Sequence, residues 1–80
     1  MVISVLAFGV AKDIIGNKKI KIETKDYATV KELKEILLLK YKKLNTIPSL
    51  LIAVNLTYAN DSKKIKSGDE VAIIPPTNGG

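Results

Sequence analysis

The sequence predicts an α+β fold, in which a mixed β-sheet carries one main helix across one face and ends in a flexible C-terminal Gly-Gly tail. Apolar and β-branched runs of strand length occur near both ends of the chain, and a segment with helical spacing lies between them. The last six residues include two prolines and two glycines, which suit neither a strand nor a helix. Because 80 residues are enough for one domain, we expect this domain over residues 1–74 and an extended tail over residues 75–80.

Two strands are predicted before the helix. Residues 2–10 are rich in β-branched and apolar types, which indicates the first strand. Residues 12–17 interrupt it and include Gly-Asn, a dipeptide typical of turns. In residues 18–24 isoleucine alternates with charged side chains, as in a strand that is buried on one face. The turn between the two strands suggests an antiparallel hairpin.

The main helix begins at a capping box. The Thr29 hydroxyl can accept a hydrogen bond from the Glu32 amide while the Glu32 side chain reaches back to Thr29. Apolar residues then recur at helical spacing, and they predict a helix over about residues 30–43. Its apolar face comprises Val30, Leu33, Ile36, Leu37 and Tyr41.

Three further strands follow the helix. They are predicted over residues 50–54, 57–59 and 70–74, with a tight turn at Asn55–Leu56. Ile65 lies between two turn segments and is a predicted core contact. A hairpin, a helix and strands that return beside the first strand suit a β-grasp arrangement, with the last strand inserted next to the first.

The composition excludes several classes of function. The chain contains no His and no Cys, so it lacks the usual ligands of zinc, copper and iron–sulfur clusters and the side chains of cysteine- and histidine-based catalysis. We therefore expect no metal site and no enzyme activity from the chain alone. Its apolar runs are far shorter than the roughly 20 residues of a membrane-spanning helix, and we expect a cytoplasmic protein without membrane contact.

The positive charge does not by itself predict a nucleic-acid partner. The net charge is +5, from 13 lysines and no arginine against 8 acidic residues. Arginine makes the commonest specific contact to guanine, and four aromatic residues do not form a stacking platform. The lysines are therefore interpreted as a solvated surface.

The tail carries the main functional prediction. Pro75 and Pro76 project the end of the chain stiffly away from the last strand. Gly79 and Gly80 then form a thin end whose carboxylate no side chain shields. A reactive C-terminus that enters a narrow channel in a partner needs this shape. The predicted reactive group is the carboxylate of Gly80, and the residues expected to enter the partner are Pro75, Pro76, Thr77, Asn78 and Gly79.

A second prediction concerns the sheet face that the helix leaves open. The first, third and last strands are apolar on both faces, and one helix can cover only one of them. We expect Phe8, Tyr58 and Ile74 to lie together on the open face, near the start of the tail, and to bind a partner protein.

Three segments of the chain resemble a known family. Ala53-Val54-Asn55, followed by Gly68-Asp69-Glu70-Val71-Ala72-Ile73-Ile74-Pro75-Pro76-Thr77-Asn78-Gly79-Gly80, is similar to the ubiquitin-like sulfur-carrier subunits of molybdopterin synthase. Residues 8–16 look like the first loop of that family. Two departures affect partner contacts only: Lys12 stands where arginine is frequent, and Asn78 where serine or threonine is common.

The resemblance implies a reaction cycle and two partners. An E1-like adenylating enzyme would use ATP to activate Gly80, sulfur would replace the adenylate, and the resulting thiocarboxylate would enter the large synthase subunit. There it would donate sulfur to a cyclic pyranopterin precursor, which forms the molybdopterin dithiolene. The chain itself would bind no cofactor, and the catalytic side chains would lie on the large subunit. Two alternatives remain open: a sulfur carrier of thiamine thiazole synthesis, and a protein modifier joined to lysines through Gly80.

Overall fold

The computed structural model describes residues 1–75, so the predictions for residues 76–80 lie outside the described part of the chain. The elements in chain order are β1 (Val2–Ala7), α1 (Gly9–Ile15), β2 (Lys19–Glu23), α2 (Val30–Lys40), a 3₁₀ turn (Lys42–Thr46), β3 (Leu51–Val54), β4 (Thr57–Ala59) and β5 (Val71–Ile74). Within residues 1–75, no helix has the length and apolar character needed to cross a membrane.

The five strands form one mixed sheet in the order β2-β1-β5-β3-β4. β1 and β5 are parallel neighbours at the centre, and the other three pairings are antiparallel. The predicted insertion of the last strand beside the first is therefore confirmed. Because β5 is central, the chain that follows it starts from the middle of the sheet.

The core lies between α2 and one face of the sheet. Val30, Leu33 and Leu37 of α2 are fully buried, and alternate residues of the strands meet them, such as Val5 and Ile73. The predicted capping box is present, since the Glu32 amide donates to the Thr29 hydroxyl and the Thr29 amide donates to the Glu32 carboxylate. Ile65, the predicted core contact, is also fully buried.

The prediction for residues 2–17 was partly wrong. β1 ends at Ala7 rather than at residue 10, and residues 9–15 form the short helix α1 instead of a break and hairpin turn. Gly9 and Gly16, at the two ends of α1, both have positive φ, which extended strands do not adopt. Ala11 and Ile15 lie one helical turn apart and are both buried. The β1–β2 pair is antiparallel as predicted, but a helix connects its strands.

Several further boundaries differ from the prediction: β2 spans Lys19–Glu23 rather than residues 18–24, and β3 begins at Leu51 rather than at residue 50. α2 ends at Lys40, because Tyr41 leaves helical backbone geometry, and a 3₁₀ turn continues the chain to Thr46. This turn buries Leu44, which helical spacing did not include in the apolar face. β5 begins at Val71 rather than at residue 70. The Glu70 backbone is instead hydrogen-bonded to Asn55.

Acid is expected to weaken the start of α2 through Glu32. A side-chain hydrogen bond from Lys25 and a backbone hydrogen bond from Thr29 lower the pKa of Glu32 from 4.5 to about 2. A depressed carboxyl pKa means that the folded state favours the ionised form. The associated stabilisation is present above pH 4.5 and is lost as the pH falls through about 2. Urea unfolding across this range should show a smaller loss of stability for Glu32→Gln than for the wild type.

The control for this experiment is Glu35→Gln, on the exposed side of the same helix, where the described residues show no hydrogen bond or ion pair to the Glu35 carboxylate. This variant should retain the wild-type pH profile. Equal acid sensitivity in the wild type and Glu32→Gln would contradict the role assigned to the Glu32 carboxylate.

Candidate functional site

The sheet face opposite α2 carries an apolar row that crosses four strands. Leu6 of β1 pairs with Ala72 of β5, Ala72 pairs with Ala53 of β3, and Ala53 pairs with Tyr58 of β4. Directly paired residues point to the same side of a sheet, so these four side chains form one continuous line. The line has small residues in the middle and large residues at both ends.

This distribution of sizes creates a groove. The two alanines form its floor, and the larger side chains rise beside them to enclose a volume of about 330 Å³. The residues of the groove are Leu6, Phe8, Ala53, Tyr58, Ala72 and Ile74, with Leu56 and Glu70 at its rim. An apolar groove with few polar groups is suited to apolar side chains of a partner protein rather than to a charged ligand.

The structure brings the three predicted patch residues together in this groove. Tyr58 is 65% exposed and Phe8 is 43% exposed, whereas Ile74 is half-buried. Their contact with a partner stays a prediction. Leu6 and the two alanines of the floor were not predicted from the sequence. Leu6 lies two residues before Phe8 and Ala72 two residues before Ile74, so the alternation of side chains along a strand could have placed both on the open face. Ala53 could be placed only from the strand register.

The hairpin between β3 and β4 forms one wall of the groove. Its two-residue turn is Asn55–Leu56, as predicted, and both residues have positive φ, as a type I′ turn requires. The Asn55 side chain donates to the Asp69 carboxylate at 3.0 Å and accepts from the Glu70 amide at 2.9 Å. The backbone amide of Asn55 donates to the backbone carbonyl of Glu70 at 2.7 Å. These bonds fix the turn to the segment that leads into β5.

The Asp69 carboxylate is a second anchor of this turn. It accepts hydrogen bonds from the Lys66 amide at 2.8 Å and from the Asn55 side chain. These two bonds lower the pKa of Asp69, because both favour its ionised form. The wall of the groove is therefore held by a charged hydrogen-bond network at neutral pH.

The root of the tail lies beside the groove. Ile74 is the last residue of β5 and lines the groove, and Pro75 follows it. A Cβ atom built on Gly9 would lie 3.2 Å from Pro75 Cγ, so Pro75 is packed against the first residue of α1. Gly9 has a φ of +56°, and its missing side chain leaves the space that Pro75 needs. The rest of the predicted tail, from Pro76 to Gly80, lies outside the described residues.

The described residues show few other places for chemistry. No group of three or more acidic side chains is arranged to hold a metal ion within residues 1–75. The described part of the chain also contains no buried polar or charged residue. The groove and the adjacent tail root are therefore the candidate site.

A mixed five-stranded sheet of this order, with one main helix across one face, defines a ubiquitin-like β-grasp protein. The model of the ThiS family matches residues 5–80, and the chain belongs to this family. It is 35% identical over 81 residues to the molybdopterin synthase sulfur carrier subunit of Caenorhabditis briggsae, a match that covers 98% of this chain and 96% of that protein.

Two solved structures show the same fold. The complex of subunits 1 and 2 of the molybdopterin-converting factor from Helicobacter pylori contains a chain 28% identical to this one, with a TM-score of 0.70 and full coverage of both chains. SAMP1 from Haloferax volcanii has a TM-score of 0.86 and 19% identity, again with full coverage. At that identity, the second likeness concerns the fold alone.

Proposed function

We propose that this chain is the sulfur carrier of molybdenum cofactor biosynthesis and the small subunit of a molybdopterin synthase. Its similarity to sulfur carrier subunits over nearly the whole chain supports this role. The single structural observation that carries the proposal is the apolar groove at the tail root, where β5 ends and Pro75 leaves the sheet. A carrier needs a docking surface next to the segment that delivers its cargo.

The length of the tail limits how far Gly80 can lie from a large subunit's docking surface on the groove. Gly80 is six residues beyond Ile74, a reach of at most about 20 Å for extended chain. A large subunit docked on the groove could therefore receive the Gly80 carboxylate in a site about that far from the sheet. The tail residues Pro75 to Gly79 would occupy the path to this site.

The loading chemistry takes place at Gly80. The Gly80 carboxylate attacks the α-phosphorus of ATP on an E1-like activating enzyme, and pyrophosphate leaves. A sulfide-equivalent nucleophile then attacks the acyl carbon, and AMP leaves with one of the carboxylate oxygens. Adenylation is needed because a carboxylate is a poor acyl donor, and AMP provides a leaving group. The product is a Gly80 thiocarboxylate.

The large subunit supplies the remaining chemistry. The thiocarboxylate sulfur attacks a carbon of the cyclic pyranopterin precursor, and an oxygen leaving group departs from that carbon. Water then cleaves the acyl–sulfur bond and returns the Gly80 carboxylate, so two charged carriers supply the two sulfurs of one dithiolene. This chain has no His, Cys or Arg to contribute to substrate binding and proton transfer. The carrier therefore brings the sulfur, while the catalytic side chains belong to its partner.

The decisive test of this assignment is transfer from the charged carrier. Thiocarboxylated protein mixed with the purified large subunit and the pyranopterin precursor should yield molybdopterin, and the carrier should return to the carboxylate form. Sulfur incorporation only into a thiazole product would favour the thiamine pathway. Lysine conjugates recovered under denaturing conditions, without molybdopterin formation, would favour protein modification and overturn the proposal.

Gly9 is expected to position the tail for this transfer. In Gly9→Ala the new Cβ would meet Pro75 Cγ at 3.2 Å, so Pro75 must shift by a few tenths of an ångström. Misplacement of a reacting group slows reaction steeply, and we expect sulfur transfer at saturating large subunit to slow roughly fivefold. Single-turnover kinetics with the thiocarboxylated protein measures this rate.

Gly16→Ala is the matched control for Gly9→Ala. Gly16 also has positive φ, so both variants should lose about 1 kcal/mol of stability, but a Cβ at Gly16 meets no atom within 4 Å. Only Gly9→Ala should slow transfer, and Gly9→Ala/Pro75→Ala should recover part of the rate because the clashing Cγ atom is gone. Equal transfer rates for the two single variants would show that the Gly9–Pro75 contact has no positioning role.

A further inference from the structure

Leu56 combines an unfavourable backbone conformation with an exposed hydrophobic side chain. It is a leucine with a φ of +68° in the β3–β4 turn, a position where glycine or asparagine is strongly preferred. Its side chain is also 90% exposed, the largest exposure among the exposed large hydrophobic residues of the described chain. A backbone conformation unfavourable for leucine is thus combined with a hydrophobic side chain that gains almost nothing from the fold.

The fold does not need a leucine at this position. The turn is fixed by Asn55, through its side-chain bonds to Asp69 and Glu70 and its backbone bond to the Glu70 carbonyl. None of these bonds involves the Leu56 side chain, so they would persist with glycine at position 56. The fold thus holds Leu56 in an unfavourable conformation without gaining stability from its side chain, which indicates that the side chain has a role outside the monomer.

The position of Leu56 indicates what that role is. Leu56 stands at the rim of the apolar groove, on the same wall as Tyr58, and extends the apolar surface outward from the sheet. Ile74 also lines the groove and is the last residue of β5, next to the tail root. A subunit seated on the groove would therefore also meet the Leu56 side chain.

We propose that Leu56 is a specificity-determining contact for the large subunit of molybdopterin synthase, which receives this side chain in an apolar recess. The inference rests on the proposed function, because the occupant of the groove is the large subunit. Since hydrogen bonds already hold the turn, the backbone at Leu56 is fixed before binding, and only the ordering of its side chain remains as a cost. Burial of one exposed leucine is enough to change an affinity by about tenfold or more.

The proposal predicts opposite effects on stability and binding. In Leu56→Gly the relief of the left-handed backbone conformation outweighs the greater unfolded-state entropy of glycine, and the thermal midpoint should rise by roughly 4 °C. The same variant should raise the Kd for the purified large subunit by about tenfold or more, measured by titration calorimetry with the full-length chain. Leu56→Asn, which tolerates positive φ and is polar, should show the same pair of effects.

Two controls make the outcomes decisive. Leu39→Ala removes a leucine that is 76% exposed on α2, on the other side of the sheet from the groove, and should leave the Kd unchanged. Tyr58→Lys, within the groove, should weaken binding whether or not Leu56 takes part. If Tyr58→Lys weakens binding and Leu56→Gly does not, the inference about Leu56 fails while the proposed function stands. If Leu56→Gly lowers the thermal midpoint, Leu56 serves the fold and the inference also fails. If neither groove variant changes the Kd, docking on the groove is wrong.

Discussion

Deletion of Gly80 is expected to abolish sulfur loading completely while leaving the fold intact. In the proposed function, loading requires the carboxylate of Gly80 in the activating enzyme. The shortened chain would end at Gly79, one residue short of that position. Within residues 1–75, the last buried residue of the hydrophobic core is Ile73 of β5, seven positions before Gly80, and we expect the thermal midpoint not to change. Incubation with the activating enzyme, ATP and a sulfur donor, followed by mass measurement of the intact protein, tests this expectation.

Asn78→Ser is the matched control for the deletion. It changes the same tail, at a position where the resembling family commonly has serine or threonine, but keeps the terminal Gly-Gly. This variant should load to the wild-type extent. Loading of the shortened chain at a rate similar to the wild type would show that Gly80 is not the sulfur-bearing residue.

A charged residue in the groove is expected to weaken association with the large subunit by about 2 kcal/mol or more, which is about 30-fold in Kd. Tyr58→Lys and Ile74→Lys each place an ammonium group in an apolar groove that would be desolvated on docking. Tyr58 is exposed and Ile74 is half-buried, so the monomer should remain folded. Titration calorimetry gives the Kd, and far-ultraviolet circular dichroism reports the fold.

The control for the groove variants is Leu39→Lys, which adds the same charge on α2, away from the groove. Its Kd should match that of the wild type apart from a small long-range electrostatic effect. An unchanged Kd for both groove variants would make Tyr58 and Ile74 bystanders. Unfolding of either variant would instead assign that residue to the structural core.

The elements that follow one strong periodicity could be predicted from the sequence. Helix α2 has both a capping box at Thr29 and apolar residues at helical spacing, so its start was found at the correct residue. The short turn at Asn55–Leu56 was found because it separates two apolar runs of strand length. The central position of β5 followed from the order of the elements.

Helix α1 could not be predicted in the same way. Its seven residues are too few for a clear periodicity, and three of them are the β-branched residues Val10, Ile14 and Ile15, which favour strands. Tertiary packing decides the outcome, because Ala11 and Ile15 are buried in the core.

The candidate site was only partly accessible from the sequence. Phe8, Tyr58 and Ile74 were found because apolar residues exceed what one helix can cover. The alanine floor depends on the register of three strand pairs, and no local pattern specifies that register. The close approach of Gly9 to Pro75 likewise depends on two segments that are distant in sequence.

The most direct test of sulfur carriage at Gly80 is the mass of the C-terminal peptide after incubation with the activating enzyme, ATP and a sulfur donor. The sulfur-carrier function predicts that this peptide gains the mass of one oxygen-to-sulfur exchange, and that fragmentation places the exchange at Gly80. A C-terminal peptide that keeps its unmodified mass, under conditions that charge a known carrier, would contradict it.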